Sequence, residues 1–145
     1  MIPFHVMLVA MLLARGAGAL GVELLDDWPS AVRFGLAVMF LFTATAHFNR
    51  YRADLIRTVP PGLPSPATLV TLTGLAEFLG ALALLIPWTA RLAAYGLILL
   101  LIVMFPANVH AARRSRAIGG RPPTPLPIRA PLQALWIFLL WWSIP

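Results

Sequence analysis

Among the polar side chains that interrupt otherwise apolar runs, five are of types that hold protons or hydrogen-bond a ligand and fall on stripes expected to face inward: Thr43, His47, Thr73, Glu77 and Asn108. Glu77 says most. It follows Ala67 by ten positions, about 15 Å along a helix and so near the midplane of a bilayer core about 30 Å thick. An acid at that depth costs a few kcal/mol unless it is partnered or protonated, so intramembrane acids tend to mark ligand or proton sites. The same acid also reads as a hydrogen-bonded brace between helices, and the two roles are compatible.

At helical spacing Thr73, Glu77, Gly80, Ala81 and Leu84 share one face, while Leu72, Leu75, Leu79, Leu82 and Ile86 share the other. The small and polar face is expected to look into a bundle and the leucines into lipid. Gly74 and Gly80, with Ala76 and Ala81, mark a close helix contact. His47 ends the preceding apolar run, with Thr43, Phe40 and Leu36 continuing its stripe. Asn108 shares a face with Met104, Leu101, Leu97 and Ala94, and Pro106 frees the carbonyl of Ile102 for another partner.

These five residues form a candidate ligand-binding set. A quinone headgroup suits them, because its carbonyls need hydrogen-bond donors and its reduction needs a proton path. No residue is assigned as catalytic. No metal-ligand spacing is present, and a haem held by His47 and His110 is disfavoured because His110 projects to a different side of its helix. Counting along straight helices puts His47 and Glu77 about 10 Å apart in depth.

Such residues need helices to hold them, and five apolar runs supply candidates at about 2–20, 30–47, 67–86, 90–109 and 131–142. The expected fold is all-α: a transmembrane four-helix bundle with an additional N-terminal transmembrane helix, one domain over 1–145. The first run carries Arg15, which is expected to snorkel or face the interior. It lacks the basic start of a signal peptide and reads as a retained span. The last run is short, so it must sit in thinned bilayer or begin before Pro131. Residues 111–130, rich in Arg, Pro and Gly, read as an extended cytoplasmic linker, with contact to anionic lipid as the sharper alternative.

Composition agrees. Hydrophobic residues make up 60% of the chain and charged ones 11%, too apolar for a water-soluble domain of this length. All eleven basic residues are Arg, and eight of them fall in the connections after the second and fourth runs. By the positive-inside rule those connections are cytoplasmic, which places the N-terminus in the cytoplasm and the C-terminus outside. Trp28, Trp88, Trp141 and Trp142 collect at the opposite end as an interfacial belt. The net charge of +6 therefore reflects topology, and nucleic-acid binding is excluded by the lack of a basic helix or aromatic platform. With no Cys, the chain has no disulfide and no thiol chemistry.

The ordered strings His47-Phe48, Val59-Pro60-Pro61-Gly62-Leu63-Pro64-Ser65-Pro66, Gly74-Leu75-Ala76-Glu77-Phe78-Leu79-Gly80 and Phe105-Pro106-Ala107-Asn108 resemble the DoxX family of small membrane proteins over about residues 30–112. The resemblance implies a four-helix membrane bundle in the bacterial inner (cytoplasmic) membrane, to which this chain adds its first span. It also implies a choice of roles. One is an accessory subunit of a quinone-linked membrane redox system, and the other a non-enzymatic assembly or chaperone protein. The expected partners are the bilayer and membrane or redox proteins, and a homo-oligomer is compatible with either role. Transport is disfavoured because no inverted repeat or pair of broken helices is present.

Overall fold

In the computed structural model, residues 2–114, 117–122 and 124–145 are described. Six α-helices follow one another among them: α1 (Ile2–Ala19), α2 (Trp28–Thr45), α3 (Arg52–Thr58), α4 (Pro66–Leu84), α5 (Pro87–Arg113) and α6 (Leu126–Trp142). A single 3-10 turn, Glu23–Leu25, joins α1 to α2. Four helices, α1, α2, α4 and α5, are long and apolar enough to cross a bilayer. The protein is an all-helical membrane bundle, as its composition requires.

α2 is the central element. It packs against α1, α4 and α6, while α5 closes the bundle against α4 and α6. Its start is set by Asp27, whose carboxylate accepts from the Ser30 amide at 2.7 Å and the Ser30 hydroxyl at 2.8 Å. These bonds, the backbone one first, hold the Asp27 carboxyl below its usual range. The core is a column of fully buried side chains, Leu36, Met39 and Phe40 from α2 against Leu84, Leu97 and Leu140. Glycines bring the backbones close. A Cβ on Gly35 would lie 2.7 Å from the Met7 carbonyl oxygen of α1, and one on Gly80 would lie 2.7 Å from a methyl of Leu97 on α5.

The expected faces of α4 are largely the observed ones, except that Thr73 and Gly80 are only half-buried and Val70 and Gly74 take their place inward. Val70, Gly74, Glu77, Ala81 and Leu84 are buried, and Leu72, Leu75, Leu79, Leu82 and Ile86 are exposed to where lipid would lie. On α2, Leu36 and Phe40 are buried, as is His47 on the turn beyond it, and on α5 so are Ala94, Leu97 and Leu101.

α2 and α5 start slightly before the expected runs, and α2 ends at Thr45, which leaves His47 beyond it; three further boundaries differ from the sequence reading. α6 begins at Leu126, five residues before Pro131, and its 17 residues span about 26 Å. Pro131 is the sixth residue of this helix, where it removes the bond to the Pro127 carbonyl near the helix start. α5 runs on to Arg113, so the linker expected over 111–130 is helical at both ends. Its Arg116 lies outside the described residues. The connection after α2 also folds into α3, where seven polar and apolar residues form a short helix beside α4 and α5.

Arg15 reaches Asp26 at 3.5 Å and lies over the Trp28 ring at 5.7 Å, so its charge is drawn to the tryptophan-rich end. At that same end Arg33 donates to the Ser143 carbonyl at 2.8 Å and Arg91 to the Pro145 carbonyl at 2.8 Å. The two bonds fix the end of α6 against the starts of α2 and α5.

Candidate functional site

At the arginine-rich end the chain leaves α2 at Thr45 and turns, carrying His47 inward against α4. The turn has space for an imidazole because residue 74 is glycine: a Cβ there would lie 2.5 Å from His47 Cβ and 2.7 Å from its Cγ. Arg52 clamps the turn. It donates to the His47 carbonyl at 3.0 Å, to the Ala67 carbonyl at 3.0 Å and to the Thr71 hydroxyl at 2.9 Å. A cation that reads in the sequence as a topology marker thus ties the end of α2 to the first turns of α4.

His47 Nδ1 lies 2.8 Å from the Val70 carbonyl, which only accepts, so that nitrogen carries a proton and donates it. The other nitrogen, Nε2, then faces Glu77 Oε2 at 3.8 Å, just beyond hydrogen-bond length. Thr43 completes the cluster from one turn deeper on α2, its hydroxyl 2.9 Å from Glu77 Oε2 and 3.1 Å from the Phe40 carbonyl. A hydroxyl has one proton. When Thr43 bonds back to Phe40 it must accept from a protonated Glu77, and when it donates to Glu77 the acid is an acceptor. Glu77 and Thr43 can therefore exchange donor and acceptor roles, with His47 Nε2 a short movement away.

The 10 Å depth gap expected between His47 and Glu77 is absent. Two features close it. The turn after α2 carries His47 to the level of Val70 and Gly74, one turn from Glu77. The Cβ of every helical residue also tilts toward the helix N-terminus, so the Glu77 side chain reaches back toward the histidine.

Thr73 lies elsewhere than expected. It stands behind the imidazole, 3.4 Å from Nδ1, and bonds to the Leu69 carbonyl at 2.9 Å. It does not line the cavity onto which the other four candidates open. That cavity, about 690 Å³, lies among α2, α5, α6 and the Glu77 side of α4. Across it from Glu77, Asn108 accepts from Arg129 at 2.6 Å and donates to Gln133 at 3.2 Å, and Gln133 donates to the Leu101 carbonyl at 2.8 Å. The carbonyl that gains a partner near Pro106 is therefore that of Leu101 and not Ile102.

Arg129, Gln133 and Trp136 are the site residues that the sequence reading passed over. Their signal was present: Gln133 is the only Gln in the chain, and residues 129, 133, 136 and 140 fall at helical spacing once α6 starts at Leu126. Reading Arg129 as linker hid it.

Chemically, the cavity offers a proton-holding acid and base at its deep end, an amide and a guanidinium on the facing wall, and Phe40, Phe42, Met104 and Trp136 between them. No curated protein and no solved structure matches the chain. A family model does match it, over residues 36–144, a stretch that holds every cavity group named above and leaves out α1. The chain belongs to that family, described as a domain of unknown function, DUF8561.

Proposed function

We propose that this protein is a DoxX-like accessory subunit of a quinone-linked membrane redox system, with a quinone headgroup held in the cavity. The observation that carries the reading is the contact of Glu77 with both His47 and Thr43 at the deep end of an aromatic-walled cavity. Reduction of a quinone takes up two electrons and two protons. Glu77 and His47 relay the two protons one after the other from water at the cavity mouth, and the electrons come from a partner enzyme. The second amide hydrogen of Asn108 donates to one ring oxygen, and Thr43 turns its hydroxyl from the Phe40 carbonyl to donate to the other.

Native mass spectrometry of the detergent-released protein, incubated with a short-chain benzoquinone, tests this. One quinone per chain should be retained, and Asn108→Ala and Thr43→Val should each weaken retention about tenfold, the loss of one hydrogen bond to a ring oxygen. A stoichiometric protein partner with no quinone retained would replace this reading with the assembly role.

The same reading places the protein in a bacterial inner membrane with both arginine-rich connections in the cytoplasm, the N-terminus inside and the C-terminus outside. A phosphatase fusion at Gly119 should be inactive and one at Pro145 active, and activity at Gly119 would reverse the orientation.

A further inference from the structure

The mouth of the cavity carries charge that its deep end does not balance. Arg50, Arg121 and Arg129 all line it. Arg129 is half-buried and bonded to the neutral Asn108, and Arg50 donates to the Tyr51 hydroxyl at 2.9 Å and lies over that ring. Among the described residues no carboxylate lies within ion-pair distance of any of the three. The nearby acids are engaged: Glu77 with Thr43 and His47, and Asp54 with Arg57 and the Gly119 amide. Three guanidinium groups thus face one opening, and the neutral partners of Arg50 and Arg129, Tyr51 and Asn108, do not offset their charge.

The cavity is also open sideways. Ile2 and Pro3 of α1 and Trp136 of α6 all line it, yet α1 and α6 pack on α2 without touching each other. Ile2, Pro3, Trp136 and the exposed Phe42 of α2 give the cavity an apolar side. Polar charge sits at the level of the arginine-rich connections, where lipid phosphates lie, and an apolar slot leads from it toward the bilayer.

We propose that this mouth binds the phosphate of an anionic phospholipid, with an acyl chain leaving through the slot between α1 and α6. Phosphate fits better than carboxylate because its several oxygens engage more than one guanidinium fork at once. A lipid fits better than a free anion because the slot provides an apolar path that a free anion does not use. Among the described residues, Arg50 and Arg121 make no bond to a residue assigned to the quinone, and only Arg129, through Asn108, is shared with that site, so the proposal goes beyond the quinone reading and does not depend on it.

Native mass spectrometry of the full chain in detergent, titrated with phosphatidylglycerol or phosphatidylcholine, provides the test. One phosphatidylglycerol should bind at least tenfold more tightly than phosphatidylcholine. The double variant R50Q/R121Q, at exposed positions that spare the fold, should weaken it about fivefold for each arginine removed. R129Q should weaken it at least fivefold. The control R113Q/R114Q removes two exposed arginines outside the cavity and should change binding less than twofold. Equal binding of the two lipids, or an equal loss in the control, would reduce the effect to general surface charge and overturn the site. Displacement of the lipid by millimolar inorganic phosphate would make it a site for the free anion and overturn the lipid assignment.

Discussion

Replacing Glu77 by Lys should sharply lower the amount of folded protein in the membrane, whereas replacing it by Gln should leave that amount close to the parent's. The difference follows from what surrounds the side chain. Glu77 is 6% exposed, and its two polar neighbours are the Thr43 hydroxyl and His47 Nε2. With Nδ1 donating to Val70, the neutral imidazole offers Nε2 as an acceptor. The Gln amide reproduces a protonated acid at this spot: its oxygen accepts from Thr43 and its N–H group points to Nε2. Lys offers only donors and a fixed charge, in a cavity whose other charges are Arg50, Arg121 and Arg129. A lysine at the centre of a span costs about 3 kcal/mol on insertion scales, and like charges in the cavity add to it. At least a tenfold loss of folded protein, read by size-exclusion fluorescence of a C-terminal fusion, is expected for Glu77→Lys. If that variant accumulated and melted like the parent, the acid would have to face bulk water and the buried cluster would not exist.

How far the sequence reveals this arrangement depends on whether a residue's partner is local or distant. The α4 face was legible because helical period alone sorts Glu77, Ala81 and Leu84 from Leu72, Leu75 and Leu79. The stripes ending at His47 and Asn108 were legible for the same reason. Depth was not. Counting residues from a span's edge assumes a straight helix, whereas His47 lies on the turn beyond α2 and folds back over Gly74. Arg52 and Arg129 were read as topology markers, and both make specific bonds, Arg52 to the His47 carbonyl and Arg129 to Asn108. Nothing in a single arginine distinguishes a solvated charge from a clamp, because the difference lies in which carbonyl or amide the tertiary fold brings to it. Thr73 shares a face with Glu77 by periodicity, yet the imidazole of His47 comes between it and the cavity.

The same contact predicts a ranking among three helix glycines. Gly74→Ala should be the most harmful, Gly80→Ala intermediate, and Gly96→Ala neutral or stabilising. A methyl at 74 would sit 2.5 Å from His47 Cβ, 2.7 Å from its Cγ and 3.0 Å from a ring carbon of Phe48. The Cβ and Cγ atoms are near the backbone of a turn held by Arg52 and by the Val70 carbonyl, so they cannot swing aside without breaking those bonds. At 80 the methyl would meet the outer carbons of Leu97, the nearest at 2.7 Å, and a leucine can yield by changing rotamer. At 96 nothing lies within 4 Å, so alanine there gains helix propensity, up to about 1 kcal/mol, with no clash to oppose it. Overpacking of a close contact typically costs 1–3 kcal/mol, which sets the expected loss for Gly74→Ala at about 2 kcal/mol or more. Thermal melts in one detergent should therefore order the variants 96 above 80 above 74. His47 should register the change as well: in Gly74→Ala its imidazole must leave Val70 and move away from Glu77, so quinone retention should fall together with stability. A Gly74→Ala protein that melted like the parent would mean that α2 and α4 are farther apart at this level, and that His47 and Glu77 do not share one cavity.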